Sequence, residues 1–137
     1  LKVGEFLSSL AAVTNIYHPA FGSVEARRVH ERQASGGGSV IAFTTGDAEF
    51  SRRIVEATKL CAIAVSFGSV NSTISLPCYM SHASIPAGLR AELAPPRDLV
   101  RISVGIESVE DVIEDLREAI RAAANSNVFA ISKAVGE

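Results

Sequence analysis

The composition of this 137-residue chain is that of a protein that folds around a hydrophobic core, with 47% hydrophobic and 20% charged residues. Thirteen Lys and Arg against fifteen Asp and Glu leave a formal net charge of -2, which argues against a nucleic-acid or anionic-lipid partner. The longest apolar run, residues 60–65, is far shorter than the roughly 20 residues of a membrane-spanning helix. These features predict one soluble domain that binds neither nucleic acid nor membrane.

The first 44 residues predict two helices and two short strands. Apolar residues recur at helical spacing from Val3 to Leu10, which predicts an opening helix that ends near residue 12. β-branched and aromatic residues predict a strand over residues 13–17. A weaker helical pattern over residues 24–34 is ended by three consecutive glycines, and a second strand is predicted over residues 39–44.

The middle of the chain predicts a helix, two strands and a long irregular segment. Asp47 is placed to cap a helix that reaches Thr58 and buries one apolar face. Residues 60–67 are short and uniformly apolar, which predicts a strand buried on both sides. Another short strand is predicted at residues 73–76, and the prolines between residues 77 and 96 predict an irregular stretch with only brief helix.

The end of the chain predicts a strand over residues 99–105 followed by a long amphipathic helix. Ser108 and Asp111 resemble a capping box, and the helix is expected to stop at residues 125–127 and leave a C-terminal tail over residues 125–137. Strands interleaved with amphipathic helices, without a Gly-rich dinucleotide fingerprint, predict an α+β sandwich. In it a small, largely antiparallel sheet is covered by helices.

Few residues have the spacing that catalysis or metal binding requires. The three histidines stand far apart in sequence, so no metal site is predicted. The glycines after Ser35 lack the Lys-Ser/Thr ending of a phosphate-binding loop. Cys61 and Cys78 form no CxxC pair and cannot build a disulfide scaffold, which favours a reducing compartment and hence the cytoplasm.

Arg101 is the exception, because it interrupts the apolar strand pattern of residues 99–104. One interpretation is that Arg101 is an ordinary strand residue that faces solvent or forms an ion pair. The other is that its guanidinium binds a carboxylate through two hydrogen bonds. The segment Ser66-Phe67-Gly68-Ser69 has the same ambiguity, since small polar residues after an apolar run suit both a cleft wall and an ordinary turn. The residues alone do not identify a reaction.

Three blocks in this order resemble the C-terminal domain of the Cys/Met-metabolism family of pyridoxal-phosphate enzymes, which have the aspartate-aminotransferase fold type. The blocks are LCAIAVSFGSVNS at residues 60–72, PCYMSHASIP at residues 77–86 and DLVRISVGIE at residues 98–107. Weaker similarity extends over residues 1–116. The resemblance implies that Arg101 binds the α-carboxylate of an amino-acid substrate, with Ser66 and Ser81 lining the same pocket.

The resemblance also implies that the chain is one part of a larger enzyme. Residues 1–124 correspond to the small domain, with residues 1–12 as the helix that joins a missing large domain. The family's cofactor lysine and phosphate-binding residues lie upstream, and none of Lys2, Lys59 and Lys133 stands in the cofactor-lysine motif. No catalytic or cofactor-binding residue is therefore assigned here. The fragment alone is expected to be inactive, and the complete enzyme to hold pyridoxal 5'-phosphate in a homotetramer.

The reaction implied by the resemblance is a β-elimination of cystathionine that yields homocysteine, pyruvate and ammonia in methionine biosynthesis. Members acting at the γ-carbon usually have an acidic residue before the pocket serine, where this chain has Val65. Cystathionine γ-synthase, cystathionine γ-lyase and methionine γ-lyase chemistry remain alternatives, as does a stand-alone amino-acid-binding module. Plant relatives are plastidial, so a plastid is the alternative compartment if a transit peptide is missing.

Overall fold

The computed structural model of the chain describes the backbone of residues 1–134 and the side chains of residues 1–125. In chain order the elements are α1 (Lys2–Ser8), β1 (Asn15–Tyr17), α2 (Val24–Glu31), β2 (Val40–Thr44), α3 (Ala48–Ala57), β3 (Ala62–Ile63), β4 (Thr73–Ser75), α4 (Arg90–Leu93), β5 (Val100–Ser103) and α5 (Val109–Ala134). Two short 3-10 turns add Pro19–Phe21 and Ala87–Leu89. The predicted elements therefore occur in the predicted order, most of them with shorter bounds.

The five strands form one sheet in the order β1-β2-β5-β4-β3. Its pairs are antiparallel except for β3 with β4, which run parallel. The strand β5 is therefore central and lies between β2 and β4. This arrangement confirms the prediction of an α+β sandwich with a small, largely antiparallel sheet.

Helices cover one face of the sheet and enclose the hydrophobic core. The strands contribute buried side chains from Ile41, Phe43, Ile74, Val100 and Ile102. Helices α1, α3 and α5 contribute Val3, Leu7, Val55, Val112 and Leu116. Full burial of side chains of this size contributes about 1.5–3 kcal/mol each, so this layer dominates the stability of the fold.

The other face of the sheet carries small and polar side chains, because successive strand residues point to opposite faces. On β2, β4 and β5, the residues that alternate with the buried apolar ones and so point to this face are Ala42, Thr73, Ser75, Arg101 and Ser103. Most of them are buried even though no helix covers them: Ser75 is 1% and Ser103 2% exposed. The segment between β3 and β4 lies over this polar face, as the contacts below show.

Short polar side chains begin the helices where the sequence places them. The carboxylate of Asp47 accepts hydrogen bonds from the backbone N–H of Glu49 at 2.8 Å and of Phe50 at 3.1 Å, which satisfies the first turn of α3. Ser108 accepts a bond from the N–H of Asp111 at 3.4 Å at the start of α5. Both predicted helix starts are confirmed.

The prediction of a strand buried on both sides over residues 60–67 is wrong. The strand β3 consists of Ala62–Ile63 at the edge of the sheet, and both of its residues are exposed. Cys61 is buried at 3%, whereas Ile63 is 52% and Phe67 59% exposed. A uniformly apolar run has no alternation, so its letters do not distinguish an interior strand from an apolar edge.

The predicted stop of the last helix at residues 125–127 is also wrong, because α5 continues to Ala134. Asn and Ser are only a few tenths of a kcal/mol poorer helix formers than most residues, which is too little to end a helix without Gly or Pro. Within residues 1–134, no helix combines the length and the apolar character that crossing a membrane requires.

Candidate functional site

Arg101 lies at the centre of the sheet, on the face that the helices leave uncovered. Its direct cross-strand neighbours are Ala42 on β2 and Ser75 on β4. Opposite residues in paired strands stand about 5 Å apart, so large side chains at these two positions would crowd the arginine. The small neighbours leave room for the planar guanidinium of Arg101.

The Arg101 guanidinium is fixed by one hydrogen bond and one aromatic ring. Its Nη2 donates to the carbonyl oxygen of Val65 at 2.7 Å, and its central carbon lies 4.8 Å from the centre of the Phe67 ring. A guanidinium has five N–H donors. The bond to Val65 is the one hydrogen bond that the Arg101 guanidinium makes to the residues that the structure describes. Because the residue is also only partly buried, it retains donors that can bind a ligand.

The partners of Arg101 belong to residues 64–72, which we name the pocket loop. The loop connects β3 to β4 and is fastened along its length. The hydroxyl of Thr73 donates to the carbonyl of Ser66 at 3.0 Å, and the N–H of Gly68 donates to the hydroxyl of Ser103 at 3.0 Å. Gly68 has φ of +78°, a conformation that side-chain-bearing residues rarely adopt. The loop thus has one defined course over the polar face.

Glu107 holds the end of the pocket loop. Its carboxylate accepts the N–H of Ser72 at 2.7 Å and the hydroxyl of Ser72 at 2.9 Å. The same hydroxyl accepts the N–H of Gly105 at 2.9 Å. Ser72 is fully buried, so its N–H has no access to solvent if this carboxylate is lost. Hydrogen bonds from Ser72 lower the pKa of Glu107 below its ordinary value of 4.5 because they stabilise the carboxylate.

Gly105 permits a close approach between the loop and the exit of β5. A Cβ at this position would lie 2.3 Å from the carbonyl oxygen of Val70 and 2.7 Å from the carbonyl carbon of Asn71. The N–H of the next residue, Ile106, also donates to Val70 at 2.9 Å. The backbones of the two segments therefore touch where only glycine fits.

The three residues predicted to line a substrate pocket are only partly brought together. Ser66 lies between the two loop residues that hold Arg101, is exposed, and makes no side-chain hydrogen bond to the described residues. Ser81 lies in the segment after β4, where its hydroxyl is 2.9 Å from Nδ1 of His82. Within the described residues, no recorded hydrogen bond joins Ser81 to Arg101 or Ser66. The substrate pocket shared by Arg101, Ser66 and Ser81 therefore remains an expectation.

Sequence reasoning named Phe67 only as part of the segment of residues 66–69, and it did not single out Ser103 or Glu107. A signal for two of them is present, because residues 101, 103, 105 and 107 alternate with the apolar residues 102, 104 and 106. This period of two continues past the end of β5, and each of the four alternate residues contacts the pocket loop. The pattern therefore marks one continuous edge that faces the loop.

The described residues do not form a cofactor site of their own. Lys2 pairs with Glu110 at 3.0 Å on the surface, and Lys59 is exposed at the turn after α3. Within the described residues, neither lysine makes a hydrogen bond or an ion pair to Arg101 or to the pocket loop. In the part of the chain that the structure describes, no group of His, Cys, Asp and Glu side chains could hold a metal ion. Among the side chains of residues 1–125, no lysine therefore lies at the Arg101 site.

This geometry defines an α+β domain whose central strand presents a partly buried arginine with N–H donors that no described residue accepts. The family model of Cys/Met metabolism PLP-dependent enzymes matches residues 1–121, and the chain belongs to that family. Family membership confirms the resemblance found in the sequence and associates the chain with pyridoxal-phosphate-dependent enzymes.

Individual relatives agree with this family. The chain is 48% identical over 119 residues to the chloroplastic cystathionine beta-lyase of Mimosa pudica. The aligned region is 87% of this chain and 26% of that relative. It is 47% identical over 118 residues to the chloroplastic mimosinase of the same plant, covering 86% of this chain and 27% of the relative. The chain therefore spans about a quarter of the length of these curated relatives.

A solved structure confirms the aspartate-aminotransferase fold type expected from the sequence. Cystathionine gamma-lyase from Lactobacillus plantarum, solved in complex with L-serine, matches with a TM-score of 0.83 at 29% sequence identity. The match covers 90% of this chain and 32% of the solved chain. The small sheet with its helical cover is thus a recurrent part of lyases of this family.

Proposed function

We propose that this chain is the substrate-binding C-terminal domain of a pyridoxal-phosphate-dependent cystathionine β-lyase. The observation that carries the proposal is the Arg101 guanidinium, which is held by Val65 and Phe67 on the polar face of the sheet and has N–H donors that no described residue accepts. In the complete enzyme, Arg101 binds the α-carboxylate of the amino-acid substrate. Ser66 and Ser81 line the same pocket.

The planar guanidinium suits this role because two parallel N–H bonds fix both the position and the orientation of a carboxylate. Holding the carboxylate fixes the rest of the amino acid relative to the enzyme, which contributes to the rate by orientation. The solved relative in complex with L-serine supports an amino acid as the ligand class. The exposed hydroxyl of Ser66 is free to contact a ligand held in this way.

The proposed reaction is the β-elimination of L-cystathionine to homocysteine, pyruvate and ammonia in methionine biosynthesis. It is supported by the cystathionine beta-lyase name of the Mimosa pudica relative and by Val65, which leaves the position before Ser66 without an acidic side chain. The gamma-lyase name of the solved relative makes γ-carbon chemistry the alternative. The products distinguish the two reactions.

The proposal places the remaining catalytic parts outside the described residues. A larger domain supplies the lysine and the phosphate-binding groups for pyridoxal phosphate, in agreement with the short span of this chain relative to its relatives. The isolated chain is therefore inactive, and the complete enzyme is a homotetramer. We place it in the cytoplasm, with the plastid as the alternative that the chloroplastic relatives support.

A chimeric enzyme tests the proposal. Residues 1–121 of this chain replace the matching segment of the Mimosa pudica cystathionine beta-lyase, and products and cofactor absorbance are measured. The chimera is expected to release pyruvate and homocysteine from L-cystathionine. Arg101→Ala lowers kcat/KM roughly 100-fold, the effect of losing hydrogen bonds to a charged group, and leaves the cofactor absorbance intact.

The matched control is Arg117→Ala. Like Arg101, Arg117 is partly exposed and stacks on an aromatic ring, since its central guanidinium carbon lies 5.0 Å from the centre of the Phe6 ring. Its kcat/KM is expected to stay within about twofold of the parent chimera, as for a surface ion pair. Near-normal kinetics in Arg101→Ala would refute the carboxylate-binding role. Formation of a 2-oxo acid other than pyruvate would instead assign the γ-carbon reaction.

A further inference from the structure

We propose that Glu107 is a positioning residue for the substrate-binding arginine: together with Ser72 it fixes the pocket loop that holds the Arg101 guanidinium. The inference rests on the proposed function, because it explains how the carboxylate site keeps its shape. Glu107 lies between β5 and α5 and contacts the loop at the end opposite to Arg101. It therefore acts through the loop and does not touch the substrate.

The first step of the argument is that Glu107 is the charged anchor of the loop. Both of its carboxylate oxygens bond to Ser72, one to the N–H at 2.7 Å and one to the hydroxyl at 2.9 Å. Because Ser72 is fully buried, both of its donors lose their acceptor if the carboxylate is removed. The Ser72 hydroxyl also accepts the N–H of Gly105, so Ser72 joins the end of the pocket loop to two residues at the exit of β5.

The second step is that this anchor and the arginine act on the same short piece of chain. From Arg101 onward, every second residue contacts the pocket loop: Arg101 at Val65 and Phe67, Ser103 at Gly68, Gly105 at the loop's end, and Glu107 at Ser72. The loop is thus fixed at both ends, and Gly68 and Val70 add bonds between them. Release of one end changes the position of the carbonyl and the ring that orient the guanidinium.

The third step separates this role from general stabilisation. The contacts of Glu107 go to the loop, whereas the core residues of the sheet and the helices pack on the opposite face. Its loss is therefore expected to loosen the loop while the core stays intact. Substrate binding through Arg101 then weakens before the fold does.

Amide hydrogen exchange of the 137-residue chain, followed by NMR, tests the anchor without any enzymatic assay. Glu107→Ala is expected to speed exchange at Ser72 and Gly68 at least about tenfold, the effect of one lost hydrogen bond to a charged group. Exchange at Ile102 in the central strand stays unchanged. The matched control is Glu118→Ala, which removes an exposed glutamate that pairs with Arg121 on α5. Unchanged protection of Ser72 and Gly68 in Glu107→Ala would overturn the proposal.

The same spectra connect the anchor to the arginine. The Nε resonance of Arg101 is expected to shift in Glu107→Ala, whereas that of Arg117, which also stacks on a ring, does not move. If the alanine variant fails to fold, Glu107→Gln replaces it, since one amide oxygen can still accept the Ser72 N–H. An intermediate shift supports the proposal, and a spectrum identical to wild type at Arg101 overturns it.

Kinetics of the chimera test the consequence for substrate. Glu107→Ala is expected to raise KM for L-cystathionine about tenfold with a smaller change in kcat, and to add nothing further in an Arg101→Ala background. A merely structural role would lower the active fraction and hence kcat, and would add to Arg101→Ala. If Arg101→Ala itself has no effect, the proposed function fails, and the exchange data decide separately whether Glu107 anchors the loop.

Discussion

Arg101 shows how a single side chain can be prepared for a ligand by its neighbours rather than by an ion pair. An ion-paired arginine is already neutralised, whereas this one is held by a neutral carbonyl and by the face of an aromatic ring. Both contacts orient the guanidinium and leave its charge uncompensated. Among the described residues no carboxylate pairs with Arg101, which is why the proposed function assigns the substrate carboxylate to it.

Phe67 should therefore affect substrate binding although it is largely exposed. In the chimera, Phe67→Ala removes the ring from the guanidinium, and we expect KM for L-cystathionine to rise about two- to fivefold, in line with roughly 0.5–1 kcal/mol for an exposed cation–π contact. Phe67→Tyr keeps the ring and should keep the parent KM. Because the side chain is 59% exposed, the melting temperature should change little. An unchanged KM in Phe67→Ala would show that the ring does not orient Arg101.

The two cysteines should differ in reactivity for a physical reason. Burial, reinforced by the negative charge of Asp115, raises the pKa of the Cys61 thiol to about 12 because the thiolate is disfavoured away from water. At pH 8 only about one Cys61 in ten thousand is then a thiolate, the reactive form. Iodoacetamide followed by peptide mass mapping should label the partly exposed Cys78 first and Cys61 only in urea. Equal labelling of both in the native chain would contradict this.

At the scale of elements, the exit of β5 depends on a backbone contact that a single methyl group would disrupt. Gly105→Ala places a Cβ against the backbone of Val70 and Asn71, and we expect a loss of about 1–3 kcal/mol in the free energy of unfolding, as for other overpacked sites. Urea denaturation measures it. Gly88→Ala is the matched control, since a Cβ there meets no atom within 4 Å. Equal stability of the two variants would mean that the loop and the β5 exit can separate freely.

Elements whose sequence carries two independent signals were predicted well. The helix α3 has both a capping aspartate and an apolar face, and α5 has both a capping serine and an apolar face, and both start where predicted. The prediction of a buried strand at β3 and the prediction of where α5 ends each rested on one signal. A short apolar run does not report which side of a strand is covered, and Asn and Ser are weak helix terminators.

At the scale of the whole molecule, the apolar residues around β3 form an exposed patch, which we name the edge patch. Its members are Leu60, Ile63, Val65, Phe67 and Val70, which are between 39% and 61% exposed. An apolar strand at a sheet edge favours pairing with another chain. The isolated chain should therefore associate with itself.

Sedimentation velocity over a range of protein concentrations measures this association. The wild-type chain should sediment faster as its concentration rises, and Ile63→Lys should shift it towards the monomer, because a charge at the edge opposes burial there. Val24→Lys, at a 60% exposed position on α2 outside the edge patch, is the control and should behave as wild type. Identical sedimentation of Ile63→Lys and wild type would place the self-association, if any, on another surface.

Across the whole molecule, the candidate site could be predicted only where its chemistry is visible in single residues. Arg101 was detectable because a charge inside an apolar strand pattern demands a partner. Ser103 and Glu107 share only an alternating pattern with Arg101, and that pattern does not show that the pocket loop lies over the polar face of the sheet. That placement follows from the parallel pairing of β3 with β4, which local patterns do not encode.

The contacts that build the site have a further consequence for the order in which the molecule folds. The bonds from Val65 to Arg101, from Gly68 to Ser103 and from Ser72 to Glu107 each join residues 35 or 36 positions apart. Closing such loops costs entropy that individual hydrogen bonds do not recover, so they form after β4 and β5 have paired. The pocket loop and its contacts with β5 should therefore form last and open first. Mild destabilisation should abolish ligand capture while the helical layer still melts as one cooperative unit.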